Sequence, residues 1–135
     1  MIRVVLDSNV IISALVFGGK PRRLFNLILE GRYVLYISKE IIDEVTAILT
    51  LKFNYPQDAL FAIESELRSL AIITEPGFKI DHIKNDQGDN RILECAKAGE
   101  CQYVISGDKH LLSANKFERI EIMTVSDFLS LMLNE

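Results

Sequence analysis

Two aspartates follow apolar segments that the sequence predicts to be strands. Asp7 comes directly after the aliphatic run 2–6, and Asp108 follows the segment 103–106 and one glycine. Runs rich in Val and Ile that are bounded by polar residues are typical of buried strands. An acid at the carboxyl end of such a strand lies where open α/β sheets bind their ligands. Asp7 is therefore a candidate ligand-binding residue, whereas Asp108, taken alone, is more simply explained as a turn residue.

Two further acids lie on predicted helices. Glu44 shares a helical line with Ile41 and Ile48 at the edge of an apolar face, and Asp89 heads the buried face of a later helix. Each also has an ordinary explanation. A Glu at an apolar edge can reach solvent or pair with a cation, and an Asp at a helix start is a common cap. Asp86, three residues before Asp89, could share either role.

The four acids gain a joint meaning from the predicted topology. Parallel strands end at one edge of a sheet, and in right-handed βαβ units the following helices begin there. Asp7, Glu44, Asp89 and Asp108 can therefore converge in one crevice. Clustered carboxylates raise each other's pKa unless a cation neutralises them. Oxygen ligands suit a hard cation, Mg²⁺ or Mn²⁺, and such ions activate water and stabilise a phosphodiester under attack.

The elements that must position these acids alternate along the chain. Strands are predicted at 2–6, 33–37, 71–74, 102–106 and 118–123, and helices at 8–16, 21–31, 38–54, from 56 to about 70, 89–99 and from 124 onward. Segments 75–88 and 107–114 are predicted to be mostly loop, the second with a helical turn. Ser8 or Asn9 is expected to cap the first helix and Ser38 the third, while Thr124 and Asp127 are spaced like a capping box. This alternation predicts an α/β fold, a three-layer α/β/α sandwich with a mostly parallel central sheet.

Composition indicates one domain, residues 1–135, with a substantial core. Of the 135 residues, 49% are hydrophobic and 25% charged, and the net charge is −4. No stretch approaches the roughly 18–20 apolar residues of a membrane span, and the start lacks the layout of a signal peptide. Cys95 and Cys101 are expected to be reduced packing thiols of a cytoplasmic protein. The acidity excludes nucleic-acid binding by overall charge alone, so such binding would need bound cations and a local basic patch.

Four segments resemble the PIN-domain family. They are Leu6-Asp7-Ser8-Asn9-Val10, the segment 38–45 that carries Glu44, Asp86-Gln87-Gly88-Asp89-Asn90, and the segment 105–111 that carries Asp108. Their order and spacing match over nearly the whole chain, and the chain looks closest to the small stand-alone, VapC-like toxins of toxin–antitoxin systems. The resemblance implies a compact α/β/α fold, metal-dependent ribonuclease activity, frequent homodimers and, for toxins, a neutralising antitoxin protein.

The resemblance also assigns roles to individual residues. Asp7, Glu44, Asp89 and Asp108 match the acidic quartet of the family, and Asp86 falls in the less regular part of the third motif. The resulting hypothesis is metal-assisted hydrolysis of RNA. In it, Asp7 and Asp108 hold the main Mg²⁺ or Mn²⁺ ion with Asp89 beside them, while Glu44 holds a second ion or orients the attacking water.

Three polar residues beside these acids match polar positions of the family. Ser8 and Asn9 follow the first acid, and Ser106 precedes the last. They are expected to be hydrogen-bond partners that orient the metal ligands. Helix capping and turn formation would explain the same three residues equally well.

Basic residues near the predicted site are candidates for contact with RNA phosphates. They are Lys20, Arg22 and Arg23, after a Gly-Gly turn, and Lys109, after the last acid. A solvated charged surface explains the first three as well. His110 is a candidate general acid or base, although an ordinary surface His is the simpler interpretation.

Two other functional classes also place an acid after the first strand. Aspartyl phosphatases and phosphotransferases commonly require a second acid two residues on, where this chain has Asn9. A receiver-type signalling domain needs adjacent acids at the first strand and a Lys that ends a late strand. Here Leu6 precedes Asp7, and Lys109 follows Asp108 in a loop. A catalytically silent binding domain and a non-toxin RNA-processing nuclease both stay compatible with the sequence.

The last predicted helix carries an apolar stripe that includes Phe128, Leu129 and Met132. The core is its expected partner. A homodimer interface or an antitoxin-binding surface would use the same kind of stripe. The second helix, with Leu24 and Phe25, has the same ambiguity.

Overall fold

Strands and helices alternate through residues 1–83 and 87–133, the part of the chain that the computed structural model describes. The strands in this part are β1 (Arg3–Leu6), β2 (Val34–Ser38), β3 (Ala71–Thr74), β4 (Tyr103–Ile105), β5 (Lys116–Phe117) and β6 (Ile120–Met123). The helices are α1 (Ser8–Val16), α2 (Gly19–Leu29), α3 (Lys39–Phe53), α4 (Gln57–Leu70), α5 (Gln87–Ala98), α6 (Lys109–Ala114) and α7 (Val125–Leu133). None of these helices combines the length and the apolar character that crossing a bilayer requires.

The described strands form one sheet in the order β3-β2-β1-β4-β6-β5. Its pairs are parallel, apart from the antiparallel pair of β5 and β6. Val4 of β1 lies opposite Leu35 on one side and Tyr103 on the other. The chain moves from β1 out to β3 and then returns to β4 on the far side of β1. Connections therefore leave β1 and β4 in opposite directions, which opens a crevice between their carboxyl ends.

Helices cover both faces of the sheet. Right-handed crossovers place α1 to α4 on one face and α5 on the other, because the chain reverses direction between β3 and β4. In agreement, α1 packs against α2 and α3, α7 packs against α2, and α5 packs against β1, β2 and β4. The predicted α/β fold with a mostly parallel central sheet is confirmed.

Burial on both faces explains why β1 is apolar from Val4 to Leu6. Val4, Val5 and Leu6 are each at most 1% exposed. Burial of an aliphatic side chain of this size contributes roughly 1.5–3 kcal/mol. A strand of alternating polarity could not occupy this central position. The apolar residues of β1 therefore determine that the strand, and with it Asp7, lies in the middle of the sheet.

The apolar sides of α2 and α7 belong to the core, as expected. Leu24 and Phe25 of α2 and Phe128 of α7 are at most 2% exposed. Tyr33 joins them: its ring lies edge-on to Phe128 with 5.2 Å between centroids, and its hydroxyl donates to the Leu24 carbonyl at 2.9 Å. These side chains are therefore committed to the interior of one molecule.

The first helix is not capped in the predicted way. Asp7 is its N-cap residue, and the Asp7 carbonyl accepts from the N–H groups of Val10 at 2.9 Å and Ile11 at 3.1 Å. Neither Ser8 nor Asn9 caps α1, because β1 runs into the helix without an intervening turn. The Ser8 hydroxyl is thereby left for a different partner.

Several elements also differ from prediction, among them α5, which begins at Gln87 rather than at Asp89. Helix α2 begins at Gly19 rather than at Pro21, because Gly18 and Gly19, with φ of 80° and 65°, reverse the chain just before it. Segment 107–114 is mostly helix α6, and β5 was missed, because two residues are too few to show a period. Ser38 and Thr124 cap as predicted, accepting from the third residue beyond each at 3.3 Å and 3.1 Å.

The two cysteines are buried free thiols, as expected. Burial raises the pKa of Cys95 to about 11 and that of Cys101 to about 12. Thiols of this kind are protonated at neutral pH and poorly nucleophilic. Cys95 and Cys101 are therefore packing residues.

Candidate metal centre

Asp7 lies at the crevice between β1 and β4. Its backbone N–H donates to the last carbonyl of β4 at 2.9 Å, and the residue is only 6% exposed. Burial raises the pKa of the Asp7 carboxyl from 3.8 to about 6, and the charges of Glu44 and Asp108 add to the rise. The hydrogen bond from the Ser106 hydroxyl acts in the opposite direction. The fold thus holds a carboxylate where its negative charge is costly unless a cation compensates it.

Ser106 connects Asp7 to Asp108. Its hydroxyl donates to Asp7 Oδ2 at 2.6 Å and accepts from the Asp108 N–H at 2.9 Å. Ser106 is fully buried, so this geometry is shielded from competing water. One side chain therefore orients the first acid and the backbone of the last.

Removing the Ser106 hydroxyl is expected to raise the pKa of Asp7 further above 6, because the hydrogen bond that favours the carboxylate is lost. The measurement is the pH titration of the Asp7 carboxyl carbon by ¹³C NMR in metal-free Ser106→Ala. Ser69→Ala, which removes a serine hydroxyl from α4, is the matched control and should titrate like the wild type. An unchanged midpoint in Ser106→Ala would show that the hydrogen bond does not tune Asp7.

Ser8 connects the start of α1 to Glu44. Its hydroxyl donates to Glu44 Oε2 at 2.7 Å, and Ser8 itself is 1% exposed. Glu44 is otherwise an exposed residue of α3, yet this bond directs its carboxylate toward the crevice. Asn9, the other predicted polar partner, is exposed at the same edge.

Asp89, Asp108 and His110 form a second group at this edge. One ligand atom from each lies within 4.8 Å of the other two. Asp89 is in the first turn of α5 and is 5% exposed. Asp108 caps α6, where its Oδ1 accepts from the His110 N–H at 2.7 Å, and the His110 Nδ1 lies 3.7 Å from the same oxygen. Asp108 is thus a cap and a member of the cluster at once.

His110 was not predicted as a ligand. The only local signal was its position two residues after Asp108, which suits many surface residues. Its approach to Asp89 depends on where the first turns of α5 and α6 lie relative to each other, and the sequence does not show that placement. An imidazole nitrogen beside carboxylates is a donor that transition-metal ions accept.

The four predicted acids thus lie at one edge of the sheet. Asp7 is linked to Asp108 through Ser106, and the charge of Glu44 raises the pKa of Asp7. Asp108 lies beside Asp89. Asp86 lies outside the described residues. The donors are oxygens with one imidazole nitrogen, and they surround a buried acid with a raised pKa, so the residues present fit a divalent cation.

The four basic residues lie on two helices, α6 and α2. Lys109 is exposed and directly follows Asp108. Lys20 donates from Nζ to Ser126 Oγ at 3.2 Å, and the Arg22 guanidinium lies 5.8 Å from the Phe25 ring centre. Arg23 is exposed on α2. Lys109 is therefore at the acidic edge itself, whereas the other three lie at the start of α2.

Comparison with known proteins gives three similarities. Residues 3–110 match the sequence profile of the PIN domain. The uncharacterized protein MJ1680 of Methanocaldococcus jannaschii is 30% identical over 127 residues, which cover 88% of this chain and 81% of that protein. The structure of the PIN domain of human SMG5 superposes with a TM-score of 0.54 at 15% identity, covering 96% of this chain and 97% of that one. At that identity the last similarity bears on the fold alone.

Proposed function

Because this chain belongs to the PIN-domain family, whose members are generally metal-dependent nucleases, we propose that it is a Mg²⁺- or Mn²⁺-dependent endoribonuclease. The observation that carries the proposal is the buried Asp7 carboxylate, which is hydrogen-bonded through Ser106 to the backbone of Asp108 and lies in the field of Glu44. A cation at this position would relieve the charge that burial disfavours. The reaction is hydrolysis of an RNA phosphodiester bond.

The acids have distinct proposed roles. Asp7 and Asp108 would hold the main ion with Asp89 beside them, and Glu44 would hold a second ion or orient the attacking water. When bound, such an ion activates water and stabilises the negative charge that develops on the phosphate. His110 supplies a further donor atom to the same cluster.

The neighbouring polar residues act through these acids. Ser106 fixes the carboxylate of Asp7, and Ser8 fixes that of Glu44, so neither acid has to be ordered when substrate arrives. Asn9, exposed at the same edge, and Lys109 are positioned to contact the RNA strand. A positive charge at Lys109 offsets part of the repulsion between the acidic edge and the phosphates.

Millimolar Mn²⁺ is expected to raise the melting temperature of the metal-free protein by about 10 °C. An ion present at about 100 times its Kd stabilises the folded state by about 2.7 kcal/mol, and each kcal/mol shifts a domain of this size by roughly 3–5 °C. The measurement is thermal unfolding after treatment with a chelator, with and without Mn²⁺ or Mg²⁺. Asp7→Asn should lose most of the shift. Asp43→Asn, which changes an exposed acid on α3, should keep it, and a wild type that does not respond would contradict the proposed site.

The more specific form of the proposal is a toxin that acts on cellular RNA and is neutralised by an antitoxin protein. In this form the protein is a homodimer. Its support is the resemblance to small stand-alone VapC-like proteins. Induced expression is expected to arrest bacterial growth, and Asp7→Asn is expected to abolish the arrest. Metal-dependent cleavage in vitro without arrest would favour a non-toxin RNA-processing nuclease instead.

A further inference from the structure

A groove of about 310 Å³ adjoins the acidic edge. It lies between the starts of α1 and α7, with Pro21 of α2 on its border. Asn9, Ser106 and Gly107 line the end nearest the acids, and Val125 lies on the α7 side. We propose that this groove binds the nucleoside next to the scissile phosphate of a single-stranded RNA, an inference that rests on the proposed nuclease function.

The groove is continuous with the metal centre through Ser106. The Ser106 hydroxyl contacts Asp7 and the backbone of Asp108, and the same residue lines the groove. A phosphate held at the acids would therefore place its attached nucleoside at the groove entrance.

The lining suits a nucleoside better than an ion. Pro21 and Val125 present apolar surface against which the face of a base can pack, while Ser13 and Ser126 supply hydroxyls. An apolar lining with a few polar groups is typical of small-ligand sites, the smallest of which have volumes of about 300 Å³. The groove therefore has room for one unstacked nucleoside, and a base within a duplex could not enter it.

A positive charge stands at the α7 wall of the groove. Lys20 Nζ lies 3.2 Å from Ser126 Oγ, and the Lys20 side chain is otherwise exposed. On a protein of net charge −4, a cation at this place favours the phosphate that follows the bound nucleoside. Electrostatics and shape thus point to the same ligand.

Gly107 allows the groove to be filled without disturbing the fold. Among the described residues, no heavy atom lies within 4 Å of the position that a Cβ would take, and the φ of Gly107 is not positive. Gly77 is open in the same way but lies in a separate loop, so it provides a matched control. Ser126→Phe would fill the groove from the opposite wall, away from the acids.

The test measures binding of a fluorescein-labelled single-stranded RNA octamer by anisotropy. The Asp7→Asn background prevents cleavage. Gly107→Leu and Ser126→Phe are each expected to weaken binding at least about tenfold, whereas Gly77→Leu should bind like the parent. Unchanged affinity in Ser126→Phe would overturn the groove proposal, whatever the result for Gly107→Leu.

A second readout separates this inference from the nuclease proposal. In the active protein, Ser126→Phe is expected to lower kcat/KM at least about tenfold while the Mn²⁺-dependent thermal shift is retained. If cleavage depends on Asp7 but is unaffected by Ser126→Phe, the proposal that the groove binds a nucleoside is refuted and the nuclease proposal is retained. If Asp7→Asn still cleaves RNA, the nuclease proposal fails first.

Discussion

Asp7→Asn is expected to reduce Mn²⁺-dependent RNA cleavage about 1000-fold or more. The substitution removes the carboxylate charge of Asp7, a buried acid of the proposed metal site that is 6% exposed. A bound cation contributes several kcal/mol of transition-state stabilisation, and each 1.36 kcal/mol corresponds to about tenfold in rate. The measurement is single-turnover cleavage of labelled RNA by purified protein.

The fold should survive this substitution. An Asn side chain has nearly the same shape as Asp, and its carbonyl oxygen can still accept from the Ser106 hydroxyl, which lies 2.6 Å from the Asp7 carboxylate. Circular dichroism should therefore match the wild type. Asp43→Asn, an exposed acid paired with Lys39 on the surface of α3, controls for the loss of one negative charge and should leave cleavage intact. Full activity in Asp7→Asn would refute the proposed mechanism.

In the absence of metal, the same substitution is expected to stabilise the protein at pH 7.5 by about 3 kcal/mol. The pKa of Asp7 rises from 3.8 to about 6 on folding, chiefly because of burial, and about 1.4 kcal/mol corresponds to each pKa unit. Asn has no charge to bury, so it avoids this cost. The expected increase in melting temperature is roughly 10 °C.

The pH dependence follows from the direction of the shift. Between pH 3.8 and about 6 the folded protein binds the Asp7 proton more tightly than the unfolded chain does. The stabilisation contributed by that proton is complete below the unfolded pKa and is lost as the pH rises through about 6. The advantage of Asp7→Asn should therefore be small below pH 4, grow between pH 4 and 6, and be constant above.

Denaturant unfolding of the chelator-treated proteins from pH 4 to 8 would measure this difference. Comparing the two proteins at each pH cancels the titration of all other groups. At pH 7.5, Mn²⁺ should make the wild type more stable than Asp7→Asn, because only the wild type binds the ion. A variant that is less stable than the metal-free wild type at every pH would mean that the Asp7 charge is already compensated by the protein.

The sequence was sufficient for features that depend on local patterns. The apolar run of β1 predicted a strand buried on both faces, and the strand end placed Asp7 at the sheet edge. Ser38 and Thr124 were identified as caps because their partners lie three residues away. The α/β alternation then predicted the side of the sheet on which Asp108 emerges.

Contacts between distant segments could not be predicted in the same way. Ser8 lies 36 positions from Glu44, and nothing in either segment indicates that the hydroxyl bonds to the carboxylate rather than capping α1. His110 lies close to Asp89 although the two residues belong to different helices, α6 and α5. Such contacts depend on the relative placement of whole elements, which local periodicity does not specify.

The hydrogen bond between Ser106 and Asp7 closes across 99 positions of the chain. During synthesis Asp7 is made well before β4 and Asp108, because Ser106 follows Asp7 by 99 positions. Until then β1 lacks its neighbour on one side, and the acids of the two strands are not assembled. The proposed site therefore cannot be assembled from its two strand-end acids before the segment that carries Asp108 has been made.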